Sequence, residues 1–319
     1  MKIRNKVKLL SFILPLGMAV PSFAMQPLDD QSLSSTTGQD GISIGIGVDK
    51  IEFKQLALID NSGIKETIIG ENFNTAAGVV IAGTNSSPVN VQFVGKPAGA
   101  STVNVKIDTD GGNGKPFANI GVKLSDQING LKISPFAMYL ASSNAISTSN
   151  ESKSIYNVQG QLVSGVSKIL EIGSASQNFE ITLNKSKSPQ VNIQLGNVPQ
   201  GFMMQFGGAI QAICGTGSGC PIAFVSGNSS AKFDFQAKAT DQTNGFSLNG
   251  FYGGISKSGL FIGNSGQSSK MNIGLNNVTL GRSGSSSANV FNGLQNSSMG
   301  NFGVTGVSVK DLKVNINGL

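Results

Sequence analysis

The chain has 319 residues, with 42 glycines, 23 basic and 17 acidic side chains, two cysteines and neither histidine nor tryptophan. Without histidine there is no Ser-His-Asp or Cys-His nucleophile and no His-ligated zinc or iron site. Charged residues at only 13% and glycine near twice its usual share leave little material for long Leu/Glu/Lys/Ala helices, and a mean hydropathy of +0.05 argues against disorder.

Residues 1–24 read as a secretory signal: Lys2, Arg4, Lys6 and Lys8, an apolar run from Leu9 to Val20, then Ser22-Phe23-Ala24. The apolar run is about twelve residues and is broken at Pro15, whereas a membrane-spanning helix needs about twenty. Cleavage is expected to leave Met25 first, with no membrane span in the mature chain. Removing the four leader charges leaves nineteen basic against seventeen acidic side chains. Those nineteen are eighteen lysines and Arg282, without a cluster, so nucleic acid is not an expected partner.

Residues 25–41 form a motif segment around LDDQSLSSTTGQDG. Asp29 can cap the amides of Gln31 or Ser32, and Leu28 and Leu33 then take the two positions of a hydrophobic staple. Gly38 can end the turn in the left-handed conformation. So short a helix is marginal alone, so its two-leucine face is expected to dock on the chain's own β domain or on a partner.

From residue 42 the signal is period two. Ile42-Ile44-Ile46-Val48, Val89-Val91-Phe93, Val191-Ile193-Leu195, Phe233-Phe235-Ala237 and Met271-Ile273-Leu275 alternate as half-buried strands do. Short turns such as TDGGNG and TNG favour antiparallel neighbours. The expected class is all-β, a sandwich or an elongated sheet of many short strands, with a solenoid or prism repeat as the sharper form. The apolar parity slips in GVDKIEF (Val48 to Ile51), GLNNVTL (Leu275 to Val278) and VKDLKV (Val309 to Leu312), which predicts three equivalent bends or bulges. The Ser/Asn-rich stretch 141–154 reads as a linker or a loop between an N-terminal β unit at 42–140 and a C-terminal one at 155–319.

Two small sites stand out. Cys214 and Cys220 enclose GTGSG, and in an exported protein they should form a structural disulfide that shapes a loop tip. In DTDGGNGKP, Asp108, Asp110 and Asn113 can offer oxygens to calcium, although Asn119 stands where an EF-hand has its bidentate glutamate. A hairpin turn after a strand at 103–107 is the plainer reading of the same residues. No other cofactor is suggested, and none of the carboxylates has the context of a catalytic pair.

The run Leu28, Asp30, Leu33, Ser34, Thr37, Gly38, Gln39, Asp40, Gly41 and Ile42, directly after the leader, resembles the FilA-type pilus assembly family of exported Gram-negative proteins. The resemblance covers about eighteen residues, and beyond them only the Gly/Asn-rich β style agrees. It implies a periplasmic or surface protein of a fimbrial system, partnered by other envelope or pilus subunits and a periplasmic chaperone, and it implies no catalytic residues. The chain's end is similar to the last strand of chaperone–usher subunits in Leu312, Val314 and Ile316 and in Gly306 fourteenth from the end, but Gly318 replaces the aromatic. Such a strand can be held by β-augmentation. The expected function is a non-enzymatic structural or assembly protein of a surface fibre. The alternative is an adhesin or glycan-binding module, calcium-assisted at Asp108 and Asp110.

Overall fold

The computed structural model describes residues 41–64, 75–146, 153–196, 202–282 and 298–317. The motif residues Leu28, Asp29, Asp30, Leu33, Thr37, Gly38, Gln39 and Asp40 lie outside them, as do residues 1–24.

The chain makes eight passes across the same three ladders. The first pass is β1 (Ile42–Ile46), β2 (Lys50–Phe53) and β3 (Gln55–Asp60), and the second returns as β4 (Ala77–Gly83), β5 (Val89–Val94) and β6 (Val103–Asp110). The third is β7 (Phe117–Leu124), β8 (Gly130–Ile133) and β9 (Phe136–Ser142); after the one-turn helix α1 (Ser143–Ile146) the fourth is β10 (Val166–Ile172), β11 (Phe179–Leu183) and β12 (Gln190–Gly196). The fifth is β13 (Met204–Gly207), β14 (Ala209–Ile213) and β15 (Cys220–Ser226), and the sixth is β16 (Ser229–Ala239), β17 (Phe246–Ser247) and β18 (Phe251–Ser256). The last two are β19 (Gly259–Asn264) with β20 (Met271–Arg282), and β21 (Ser298–Val307) with β22 (Lys313–Ile316).

Stacking these passes gives ladder A, in the order β1-β6-β7-β12-β13-β18-β19-β22. Ladder B begins β2-β5-β8-β11-β14, and ladder C runs β3-β4-β9-β10-β15-β16. From the sixth pass the long strands β16, β20 and β21 cross from C into B without a break, which joins those two ladders into one sheet. Every pairing between these strands is antiparallel, because each pass retraces the one before it. This is the repeat form of the all-β expectation, built of back-and-forth passes.

Period-two patterning sets the register. In ladder A, Ile42, Ile107, Ile120, Ile193, Met204, Gly253, Ile262 and Val314 occupy one column, so one strand's apolar side chain stands beside the next strand's. The three parity slips all fall at corners between ladders, where a polar residue absorbs the extra position. Val48–Ile51 and Val309–Leu312 lie at the A/B corner, the latter with Asp311 at φ 49°. Leu275–Val278 lies at the B/C corner, where Asn277 has φ 54° and the register shifts. They are therefore two kinds of corner and not three copies of one bend.

The A/B corner carries the buried polar residues Thr102, Asn184, Ser188 and Asn264. The Thr102 hydroxyl accepts from Val48 N at 2.9 Å and donates to Val48 O at 2.7 Å, tying the second pass to the first. Asn264 accepts from Leu312 N at 3.0 Å and donates to Gly266 O at 2.8 Å, tying the seventh to the eighth. Backbone groups at a bend need partners, and Thr102 and Asn264 supply them where ladder bonds lapse. At the B/C corner of the fifth pass, the Cys214–Cys220 disulfide links β14 to β15. Both cysteines are buried at the base of an exposed loop, residues 216–218, so the bridge fastens a corner of the stack.

The stretch 141–154 is not a boundary between two β units. Strands on either side of it pair in all three ladders, β7 with β12, β8 with β11 and β9 with β10, and Gly41–Leu319 forms one compact unit. The segment after β9 instead covers ladder C. Ala145 and Ile146 of α1, with Ile155, close over Val80, Ala82, Ala137, Tyr139 and Ala141. Gln55 brackets Ile155, donating to Lys153 O at 2.6 Å and accepting from Ile155 N at 3.2 Å. Burying Ile146 and Ile155 contributes roughly 1.5–3 kcal/mol each.

Candidate interaction surfaces

The two ends of the stack differ from its middle. Ladder A starts at β1 and ends at β22, each with one neighbour among the described strands. With no further strand beside them, their apolar side chains reach solvent: Ile44 is 42% exposed while Val105, Val122 and Val191 in its row are half-buried, although Leu195, Ile255 and Ile262 on inner strands are exposed as well. The same holds in ladder B, where Ile51 and Phe302 are exposed, and in ladder C, where Leu58 is 78% exposed. A sheet edge with exposed apolar side chains is a template for another strand.

Of the described residues singled out from sequence, Gly41, Gly306, Leu312, Val314 and Ile316 fall at these ends. Leu312, Val314 and Ile316 lie on or beside β22, which pairs its inner edge with β19, so the last strand belongs to the chain's own sheet and offers only its outer edge. Gly306 lies in β21 at φ 70°. Gly41, last residue of the TGQDG run before β1, has φ 83°, and a Cβ there would collide with Asp108 Oδ1 and Ile107 O. The motif's glycine is thus required where β1 joins the ladder.

Asp108 and Asp110 lie on β6 and Asn113 in the turn to β7, so the stretch is the hairpin. Asp110 Oδ1 accepts from Gly112 N at 2.6 Å, closing the turn, and Lys106 Nζ stands 3.4 Å from Asp108 Oδ2. Both carboxylates therefore already have partners within the hairpin.

The polar side of ladder A holds a groove of about 530 Å³ that no sequence motif announced. Ser43, Lys106, Gly121, Asn192 and Gln205 form one cross-strand row through it, and the missing side chain at Gly121 opens the floor. Asn119 Oδ1, in the neighbouring row, accepts from Asn192 Nδ2 at 2.7 Å and Gln194 Nε2 at 3.3 Å, which fixes those amides. Lys123, also in the groove, pairs with Asp126 at 2.9 Å, and the bond from Lys123 holds the Asp126 carboxyl below its ordinary pKa. Beside Gln205 stands Tyr252, stacked on Phe202 with ring centroids 3.6 Å apart and planes 7° apart. The Tyr252 ring lies over Gly263, where a Cβ would meet its Cζ and hydroxyl. The signal for this surface was the other half of the alternation: VNVKID, VNIQL and MQF place Asn, Lys and Gln on one face of successive strands.

Against known proteins, a family of unknown function, DUF6160, matches residues 1–110, which ends at Asp110, the last residue of the second pass. No curated protein and no solved structure matches the chain.

Proposed function

We propose that this chain is a non-enzymatic, exported structural protein of a cell-surface fibre. The observation that carries the reading is the pair of open ends, each a set of apolar strands with a single strand neighbour among the described residues, at the two ends of one continuous strand order. An edge with exposed apolar side chains is a template for another strand, and β1, β2, β21 and β22 contain no proline, the short β2 and β22 carrying only Lys50, Glu52 and Lys313 as charges. The buried disulfide agrees with folding in an oxidising compartment, and the resemblance of the TGQDG segment to pilus assembly proteins points the same way. Immunogold electron microscopy of intact cells, with sheared surface material probed by the same antibody, tests it. Labelled filaments that retain the protein after shearing are the expected result, and label confined to the envelope overturns it.

A second reading rests on the groove of ladder A. Amides held in place by one another, next to the Phe202–Tyr252 stack, suit a neutral polyhydroxylated ligand such as a glycan. On this reading the soluble monomer binds glycans, and Gln205→Ala or Tyr252→Ala weakens binding without changing the melting temperature. Unchanged binding in both variants rules the groove out.

A further inference from the structure

We propose that the partner at each open end is a second copy of this chain, added head to tail, so that β22 and the middle of β21 of one copy pair with β1 and β2 of the next. The proposal rests on the fibre reading above and names its contact.

Strand direction is the first argument. The passes alternate, and there are eight of them. The first runs from ladder A to ladder C and the eighth runs back to A. A ninth would run as the first does, so a second copy placed beyond the eighth pass continues the antiparallel alternation without inverting. An odd number of passes would have set like-directed strands side by side.

Register is the second. The column that begins at Ile42 ends at Val314, so extending it by one strand sets Ile42 of the next copy beside Val314 and its Ile44 beside Leu312. In ladder B the column Phe93, Leu131, Ile181, Ile213, Ala237, Ile273 and Val304 fixes the count, and two residues along from it stand Ile51 at one end and Phe302 at the other. The same alignment that places apolar beside apolar in A therefore does so in B. It also sets Lys313 beside Ser43 and Glu52 beside Asn301, so no like charges meet. Strand lengths agree as well, with β1 at five residues against β22 at four.

Such a contact joins two different surfaces head to tail, so each added copy leaves a new open end, and a filament grows wherever the rotation does not close a ring. A contact of β1 with β1 would instead give a closed dimer.

The test uses the full exported chain and two variants, Ile44→Lys at one end and Val314→Lys at the other. Both positions are exposed in the monomer, and unchanged circular dichroism and melting confirm that each variant folds. In analytical ultracentrifugation and negative-stain microscopy, wild type is expected to grow open-ended oligomers with concentration. Each variant alone remains monomeric, and an equal mixture of the two gives a dimer and nothing larger, because one good end of each kind remains. Ile42→Cys with Val314→Cys is expected to give a disulfide-linked ladder of copies, the native cysteines being bonded to each other. A dimer formed by either variant alone, filaments from the mixture, or a wild type that stays monomeric throughout overturns the proposal. If both variants still enter sheared filaments on cells, the contact is wrong while the fibre reading stands. Assembly in solution by a protein confined to the envelope has the reverse meaning.

Discussion

The second and third passes and the first pass are written in the same alphabet, yet only the former are buried. Val80 and Ala82 on β4 and Ala137, Tyr139 and Ala141 on β9 lie between neighbouring strands and beneath the segment that holds Ile155. Ala57 and Ile59 on β3, one strand away and on the same face, are exposed. Period-two apolar alternation specifies a strand and its inward face, but burial needs a neighbour, and in a stack of passes the end strands have only one. On the face that Ile155 covers, exposure at β3 thus follows position in the stack, whereas on the other face Leu140 of the inner strand β9 is exposed as well.

The largest expected effect breaks the covered side of that comparison. Ile155→Ala removes a fully buried side chain clamped over β4 and β9 and should cost about 2–5 kcal/mol. Leu58→Ala, at the exposed end, should stay within about 0.5 kcal/mol. Urea denaturation of the two variants measures the gap, and equal losses would mean that β3 is covered in solution.

Corners give the next two. The Cys214→Ser/Cys220→Ser variant loses the loop constraint at the B/C corner, about 2 kcal/mol of entropy for so short a loop. Amide exchange should then rise at the ends of β14 and β15 facing the corner, while β1 and β22 keep their rates. Thr102→Val keeps the shape but removes both hydroxyl bonds to Val48, at about 1 kcal/mol because Val48 is half-buried and water can replace part of the loss. Its effect should concentrate at the first pass, freeing the joint between β1 and β2.

These corners show what was legible in the sequence. The class, the antiparallel order and the positions of three corners followed from alternation and its slips, because a one-residue parity change has few physical solutions. Ladder membership did not follow, since a hairpin connection and a corner use the same Gly, Asn and Ser residues, and only long-range pairing distinguishes the Gly111–Pro116 turn from the Gly95–Thr102 bend. For the same reason 141–154 read as a linker: its few apolar residues, Ala145 and Ile146, look too sparse for a core until β4 and β9 are seen to lack cover on that side. The groove was hidden because its amides are spread over strands far apart in sequence, Lys106 next to Gly121 next to Asn192 next to Gln205.

The smallest expected effect concerns pH and again separates middle from end. Asp241, in the turn between β16 and β17, accepts from Thr243 N and Asn244 N at 2.9 Å each, and the Asn244 amide is the main cause holding its pKa below 3.8. A carboxylate with a depressed folded pKa contributes stability above its ordinary value and loses it as pH falls through the folded one, so the turn should loosen only below 3.8. That turn is tied to the A/B corner, where Asn184 donates to Thr243 O at 3.0 Å and Lys187 to Asn244 Oδ1 at 2.6 Å. Acid should therefore raise amide exchange at Thr243 and Asn244 before it reaches β1 or β22, and Asp241→Ala should show the raised exchange at neutral pH with no further acid step. Simultaneous loosening of turn and ends would mean that the stack opens as one unit, and that its end strands are held by more than their single neighbours.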